Sequence, residues 1–295
     1  MNPSTTNEPL PYGFGYTPTP LDEYNLYPPF NVGDSILPYP TSVDLSSKMT
    51  TVKQQGWYSS CVGFAVCAAL EVIPVQTSQE QQNESDAFVW FNAKMRDGLG
   101  NPAQNRGTLI PAAIASVQAV GSVFEPTWPY SKAMETPGAD VFAKALNMRV
   151  IAAYPLPGHA LDDYKKMLCQ GWPIVVGFDI FGIARYLTLA MQNGGFMAMP
   201  PTPLPSRSGG HAVLFVGYDD DKKLIKFKYS WGPNTGDNGY YYMPYDYLQW
   251  TRDAWVILRQ DTQGPVPIDA GGDAAPSGLQ PCDVYESPAF HHFKN

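Results

Sequence analysis

The sequence predicts an α+β protein of two lobes, one helical and one built on an antiparallel sheet. Three observations lead there. In the first half, apolar residues recur at helical spacing behind capping residues. In the second half, short runs of β-branched and aromatic residues stand between turn signals. The chain has 295 residues, 44% of them hydrophobic, enough for one large domain or two fused lobes around a substantial core.

The elements follow in order. Residues 1–40 are rich in Pro, Tyr, Asn and Thr and hold little regular structure on their own. Two readings stay open for them: a disordered tail, or an extended strap whose tyrosines and Phe30 adhere to a surface. SCVGFAVCAALEVIP (60–74) reads as a buried helix, with Ser59 or Ser60 as N-cap and Pro74 near its end. SDAFVWFNAKMRD (85–97) gives a second helix capped by Ser85. TLIPAAIASVQAVG (108–121) gives a third, ended by Gly121, and LDDYKKMLCQG (161–171) an amphipathic fourth, ended by Gly171. Strands are expected at PIVVGFDI (173–180), HAVLFVGY (211–218), KLIKFKYSW (223–231), GYYYMPY (239–245) and WVILRQ (255–260). The resulting division is an N-terminal extension (1–40), a core (41–260) and a Pro/Gly-rich C-terminal tail (261–295). Within the core, the helical lobe falls mostly in 55–150 and the β-rich lobe mostly in 151–260. A groove between two such lobes is where an active site is expected.

Composition excludes several functions. The net charge is −8 and no basic run exceeds Lys222-Lys223, so nucleic acid is not an expected partner. No apolar run is long enough for a membrane span. The first residues lack the basic and apolar regions of a signal peptide, so the expected location is cytoplasmic or reached by non-classical secretion. Cys61, Cys67, Cys169 and Cys282 do not form a dense disulfide framework. No CxxC or HxxxH pair supports a metal, and no phosphate-binding glycine loop supports a nucleotide, so no cofactor is expected. Asp219-Asp220-Asp221 reads as a solvated hairpin turn.

Cys61 is set apart from the other cysteines. It follows the polar, glycine-containing approach VKQQGWYSS and opens an apolar helix. The first turn of a helix lowers a thiol's pKa through its free N–H groups and dipole. A histidine partner would hold the thiolate and carry the proton to a leaving group. The Cys61 N–H and the Gln55 side chain would supply donors to an oxyanion. Cys67, deeper in the same helix, fits a core thiol. Of four histidines, His159 lies in a loop, and His291 and His292 lie in the tail. His211 instead follows Ser208-Gly209-Gly210 and opens a strand. Gly209 and Gly210 leave room for a substrate backbone to approach. A hairpin centred near residue 220 places residue 229 or 230 opposite His211, which nominates Tyr229 and Ser230 as the group orienting the imidazole.

These blocks resemble a family. VKQQGWYSSCVGFA resembles the QGxxGSCWAF block around the nucleophile of papain-like (C1 family) cysteine peptidases. SGGHAVLFVGYDDDKKLIKFKYSWGPNTGDNGYYYMPYDYL is similar to that family's histidine block and the SWG block behind it. GTLIPAAIASVQAVGSVFEPTWPY and PIVVGFDIF are similar to segments of its bacterial branch. The likeness covers roughly residues 40 to 260. It implies a helical lobe carrying the nucleophile Cys61 and a sheet lobe carrying His211 as general base and acid. It also implies Gln55 as oxyanion donor, Trp231 as the indole shielding the histidine, and a peptide or protein as substrate. The family's Asn before SWG is Tyr229 here, so the usual third member of the triad is not met. Val62 and Tyr58 replace a usual tryptophan and a usual disulfide cysteine, and TGDNG replaces a WG-rich turn. GYTPTPLDEYNLYPP is similar to a segment ahead of the mature domain in bacterial relatives, which implies that residues 12–40 cover the cleft and restrain activity. The expected function is that of a cysteine endopeptidase. The alternatives are a catalytically impaired papain-fold protein that serves as a binding or structural module, and a related acyl transfer such as transamidation on the same thiol. Oligomeric state and substrate side-chain preference have no signal in the sequence.

Overall fold

The computed structural model describes residues 13–27, 39–73, 81–145, 151–156, 161–182 and 185–259. Phe30, Pro74, His159, the C-terminal tail with Cys282, His291 and His292, and the rest of the N-terminal extension lie outside the described residues. The elements are α1 (Leu21–Tyr24), β1 (Ser42–Asp44), α2 (Cys61–Leu70), α3 (Asp86–Arg96), α4 (Ile110–Val120), α5 (Ala139–Ala145), β2 (Ile151–Pro155), α6 (Leu161–Cys169), β3 (Ile174–Phe181), α7 (Arg185–Gln192), β4 (Arg207–Asp219), β5 (Leu224–Lys228), β6 (Tyr240–Pro244) and β7 (Thr251–Arg259).

The four helices expected from spacing are present. All ten residues of α2 are buried, which is why its sequence is apolar on every side. Ser85 caps α3, its hydroxyl accepting the Phe88 N–H at 3.2 Å. Ser60 holds the N-cap position of α2, but its side chain does not cap. The hydroxyl meets the Tyr130 hydroxyl at 2.6 Å instead. The short elements β1, β2, α5 and α7 carry too few periodic residues to stand out in the sequence.

The sheet runs β2-β7-β3-β4-β5-β6, with β1 pairing along β4, and all its ladders are antiparallel. Every residue of β3 is buried, as a strand covered on both faces requires. β4 begins at Arg207, so Gly209 and Gly210 already pair with Ile180 and Asp179, and His211 lies within the strand rather than at its start. The hairpin also differs from expectation. Its turn joins Asp219 to Leu224, and a bulge beyond Phe215 shifts the register so that Leu214 pairs with Lys228. Continued, that register sets residue 231, not 229 or 230, across from His211. β5 stops at Lys228, and the Tyr229 N–H turns to the Gly239 carbonyl at 3.1 Å.

A buried ionic network ties α2, α3 and the sheet together. Glu71, at the end of α2, accepts from Lys53 Nζ at 2.7 Å, from the Glu84 N–H at 2.9 Å and from the Thr50 hydroxyl. Lys53 also donates to Asp86 at 2.8 Å. Lys228 on β5 donates to Thr50 at 2.7 Å and lies 3.8 Å from Glu71. Burial pushes Lys228 down to about 8 and Asp86 up to about 6. The carboxylate of Glu71 is the hub. Glu71→Ala leaves two enclosed ammoniums without their shared partner, an expected loss of about 3–5 kcal/mol in urea unfolding. A loss below about 1 kcal/mol would mean that water already screens the network.

Candidate active site

Cys61 is the first residue of α2 and is wholly buried where that helix meets β4. Burial pushes its thiol up to about 11, and the nearby N–H groups of Ala212, Gly15 and Val62 offset this only in part. The thiolate expected from the helix N-terminus is therefore not the form held here. Desolvation outweighs the dipole.

His211 is equally buried, and burial alone pushes it down to about 3. Neither ring nitrogen has a hydrogen-bond partner among the described residues. Aromatic rings enclose it instead. Tyr229 stacks on the imidazole with centroids 4.6 Å apart and planes 29° apart. Trp231 stands at 5.8 Å, Phe178 at 6.2 Å and Phe14 at 5.8 Å, each edge to face. Tyr229 thus orients His211 by packing rather than by a hydrogen bond. Its hydroxyl also has no partner among the described residues. Ser230, the other nominee, serves Gln55.

Gln55 is fixed from all sides. Its N–H donates to the Ser230 carbonyl at 2.8 Å, and its side-chain oxygen accepts from the Ser230 hydroxyl. Tyr130 donates to the Gln55 carbonyl at 2.8 Å. The Gln55 amide nitrogen donates to the Tyr58 carbonyl at 2.8 Å and to the Gly13 carbonyl at 2.9 Å.

Gly13 belongs to a strap, residues 13–27, that the sequence left open between tail and cover. Its N–H groups and carbonyls pair with both sides of the site. Gly13 donates to Gly56 at 3.1 Å, Tyr16 to Gly210 at 3.2 Å and Thr17 to Thr108 at 3.1 Å, while Gly15 accepts from Thr108 at 2.9 Å. Further along, Tyr24 donates to the Ala254 carbonyl at 3.1 Å, and the Tyr24 and Tyr27 rings lie 5.7 and 4.9 Å from that of Trp255. Gly210 therefore does bind a backbone, and Gly209 lies beside the Phe14 side chain. Tyr16 and Asp253 were not foreseen. The alternation GFGY was the one local signal for Tyr16, and nothing local marked Asp253.

The two shifted groups give strap docking a pH dependence. Between about 3 and the ordinary 6.5, an uncovered His211 binds a proton that the covered one cannot, so falling pH favours release by up to about 1.4 kcal/mol per unit. Between 9.0 and about 11, an uncovered Cys61 loses a proton that the covered one keeps, so rising pH also favours release. The upward shift of Asp253 acts in the opposite sense, but it starts from 3.8. Hydrogen-exchange protection of the Tyr16 and Thr17 amides, corrected for intrinsic rate, is expected to be greatest between pH 6.5 and 9 and to fall by pH 5. Constant protection from pH 5 to 8 would contradict this linkage.

Residues 39–250 match the family model described as papain family cysteine protease. The chain is 27% identical over 238 residues to an uncharacterized peptidase C1-like protein of Acanthamoeba polyphaga mimivirus, covering 75% of this chain and 74% of that one. It is 29% identical over 207 residues to cathepsin S of Bos taurus, covering 68% of this chain and 59% of that one. It spans about half the length of the plant thiol proteases it matches. Among solved structures, xylellain, a cysteine protease from Xylella fastidiosa, superposes with a TM-score of 0.74 at 27% identity, covering 86% of this chain and 98% of that one.

Proposed function

Because the chain belongs to the papain family of cysteine proteases, we propose that it hydrolyses peptide bonds at Cys61 and that residues 13–27 keep it latent. In the uncovered site, His211 takes the Cys61 proton. The thiolate adds to the substrate carbonyl carbon, and the oxyanion accepts from the Cys61 N–H and the Gln55 amide. His211 then protonates the leaving nitrogen as the C–N bond breaks, which leaves a thioester. Water, giving its proton to His211, releases the acid and restores the thiol.

One observation carries this reading. The Gln55 amide, fixed by Ser230 and Tyr58, already donates to a peptide carbonyl, that of Gly13, beside the cysteine helix. The same contact supports latency, because a strap carbonyl occupies the donor a substrate would need. Similarity to the Xylella structure supports placement in a bacterial branch of the family. Trp231, packed against His211 and Tyr229, shields the pair from water. The cleft between a helical lobe and a β-rich lobe would hold the peptide.

Tyr229 favours a second reading. An imidazole stacked on Tyr229, without an acceptor to fix its tautomer, supports slower proton transfer than the family's Asn arrangement. At the limit, the chain binds peptides without cutting them.

Turnover of a fluorogenic peptide by the full chain and by Tyr16→Gly separates the readings. The expected result is at least about tenfold faster turnover in Tyr16→Gly, and a loss of roughly a thousandfold or more when Cys61→Ala is added. Activity that survives Cys61→Ala would overturn the assignment. Peptide binding without turnover in Tyr16→Gly would favour the binding module.

A further inference from the structure

The Tyr16 side chain occupies a built slot. Its ring lies against Gly177 on β3 and Gly210 on β4. A Cβ at Gly177 would stand 2.2, 2.3 and 2.7 Å from three ring carbons of Tyr16, and one at Gly210 would stand 2.7 Å from a fourth. A side chain at either position would collide with the ring, so the two glycines, on one face of neighbouring strands, form a flat floor for it. The slot ends at Asp253 on β7, the cross-strand partner of Gly177. Asp253 is fully buried. One carboxylate oxygen accepts from the Tyr16 hydroxyl and from the Thr19 N–H, the latter at 3.1 Å, and both donors belong to the strap. The other oxygen has no hydrogen-bond partner among the described residues.

The slot opens onto the candidate site. Tyr16 donates its N–H to the carbonyl of Gly210, the residue before His211, and Gly15 stands beside the Cys61 thiol. Without the strap, Asp253 would lose both donors and face the space that the Tyr16 ring now fills. We infer that this slot selects the substrate of the protease proposed above, and that it selects a tyrosine side chain through Asp253. The inference rests on that reading of the site.

The chemistry of the walls separates tyrosine from its competitors. Phenylalanine fits on the glycine floor but leaves the carboxylate unpaired, a handicap of about 10- to 100-fold. Leucine lacks both the flat shape and the donor. Glutamate meets a like charge. Lysine or arginine could pair with the Asp253 carboxylate but must pass Arg207 and Arg252, which converge on Asp179 at 2.5 and 2.6 Å. A lysine peptide cleaved faster than the tyrosine peptide would overturn the inference.

The experiment uses the full chain with Tyr16→Gly, which empties the slot, and reads it in two ways. First, a fluorogenic peptide library carries Tyr, Phe, Leu, Lys or Glu at each position before the scissile bond. At one position tyrosine is expected to exceed phenylalanine by about 10- to 100-fold in kcat/KM, and Asp253→Leu is expected to erase the difference. Equal cleavage of the tyrosine and phenylalanine peptides, or a tyrosine preference that survives Asp253→Leu, would overturn the inference. Second, p-cresol and toluene, the bare side chains of the two residues, are titrated and followed by NMR. p-Cresol is expected to bind at least about tenfold more tightly than toluene. Gly177→Ala, which puts a methyl where the ring lies and keeps the Asp253 carboxylate, is expected to abolish the binding. Equal binding, or none, would overturn the inference. A chain that prefers p-cresol but cleaves no library member would sink the protease reading while leaving the selectivity of the slot supported.

Discussion

The hydrogen bond from the Tyr16 hydroxyl to Asp253 anchors the closed form of this site. It joins residues 237 positions apart and ends a slot cleared by two glycines on adjacent strands. With Tyr16 seated, the backbone around it has little freedom. Gly15 falls beside Cys61, Gly13 falls on the Gln55 amide, and Phe14 falls against His211. Desolvation of the cysteine and the histidine follows from that path. Both are held in their neutral forms by one cause, exclusion of water, and no neighbouring charge is needed. Under the proposed function, reactivity and latency are two states of the same residues, separated by whether the strap is docked.

The site needs a rigid frame to act this way. α2 supplies it by being buried on every side, and the ionic hub at Glu71 fixes its far end to α3 and the sheet. Ser230 and Tyr130 both hold Gln55, which fixes the aim of its amide on the Gly13 carbonyl and, under the proposed function, on a substrate carbonyl. Tyr229 is the departure from the family pattern. It contributes ring area where a hydrogen-bond acceptor is usual, and the rings of Phe178, Tyr229 and Trp231 close around His211, with Tyr241 packed behind Tyr229.

Much of this was legible in the sequence. Helical spacing and caps located α2, α3, α4 and α6, and alternating aromatic runs located most of the sheet. The motif around Cys61, with Gln55 six residues before it and His211 behind two glycines, brought the residues of the candidate site into view. What local pattern did not carry were events that depend on distant neighbours. The turn sits one to two residues later than the aspartate run suggests, and the bulge beyond Phe215 then shifts the register by one residue, which no composition signal marks. A tyrosine beside a histidine reads alike whether it bonds or stacks, and only packing distinguished the two at Tyr229. Ser230 was visible as a polar residue near the site, but its partner, Gln55, lies on another element. The Tyr16 slot was the least legible feature, because its parts come from the strap, β3, β4 and β7.

The most direct measurement is the pH profile of iodoacetamide labelling at Cys61, read by peptide mass spectrometry, in the full chain and in Tyr16→Gly. If burial under the strap sets the state of the thiol, labelling of the full chain stays slow through neutral pH and rises only towards the raised value of about 11. In Tyr16→Gly the rise then moves more than one unit lower. Superimposable profiles in the two chains would show that the strap does not control the thiol, and would contradict this account.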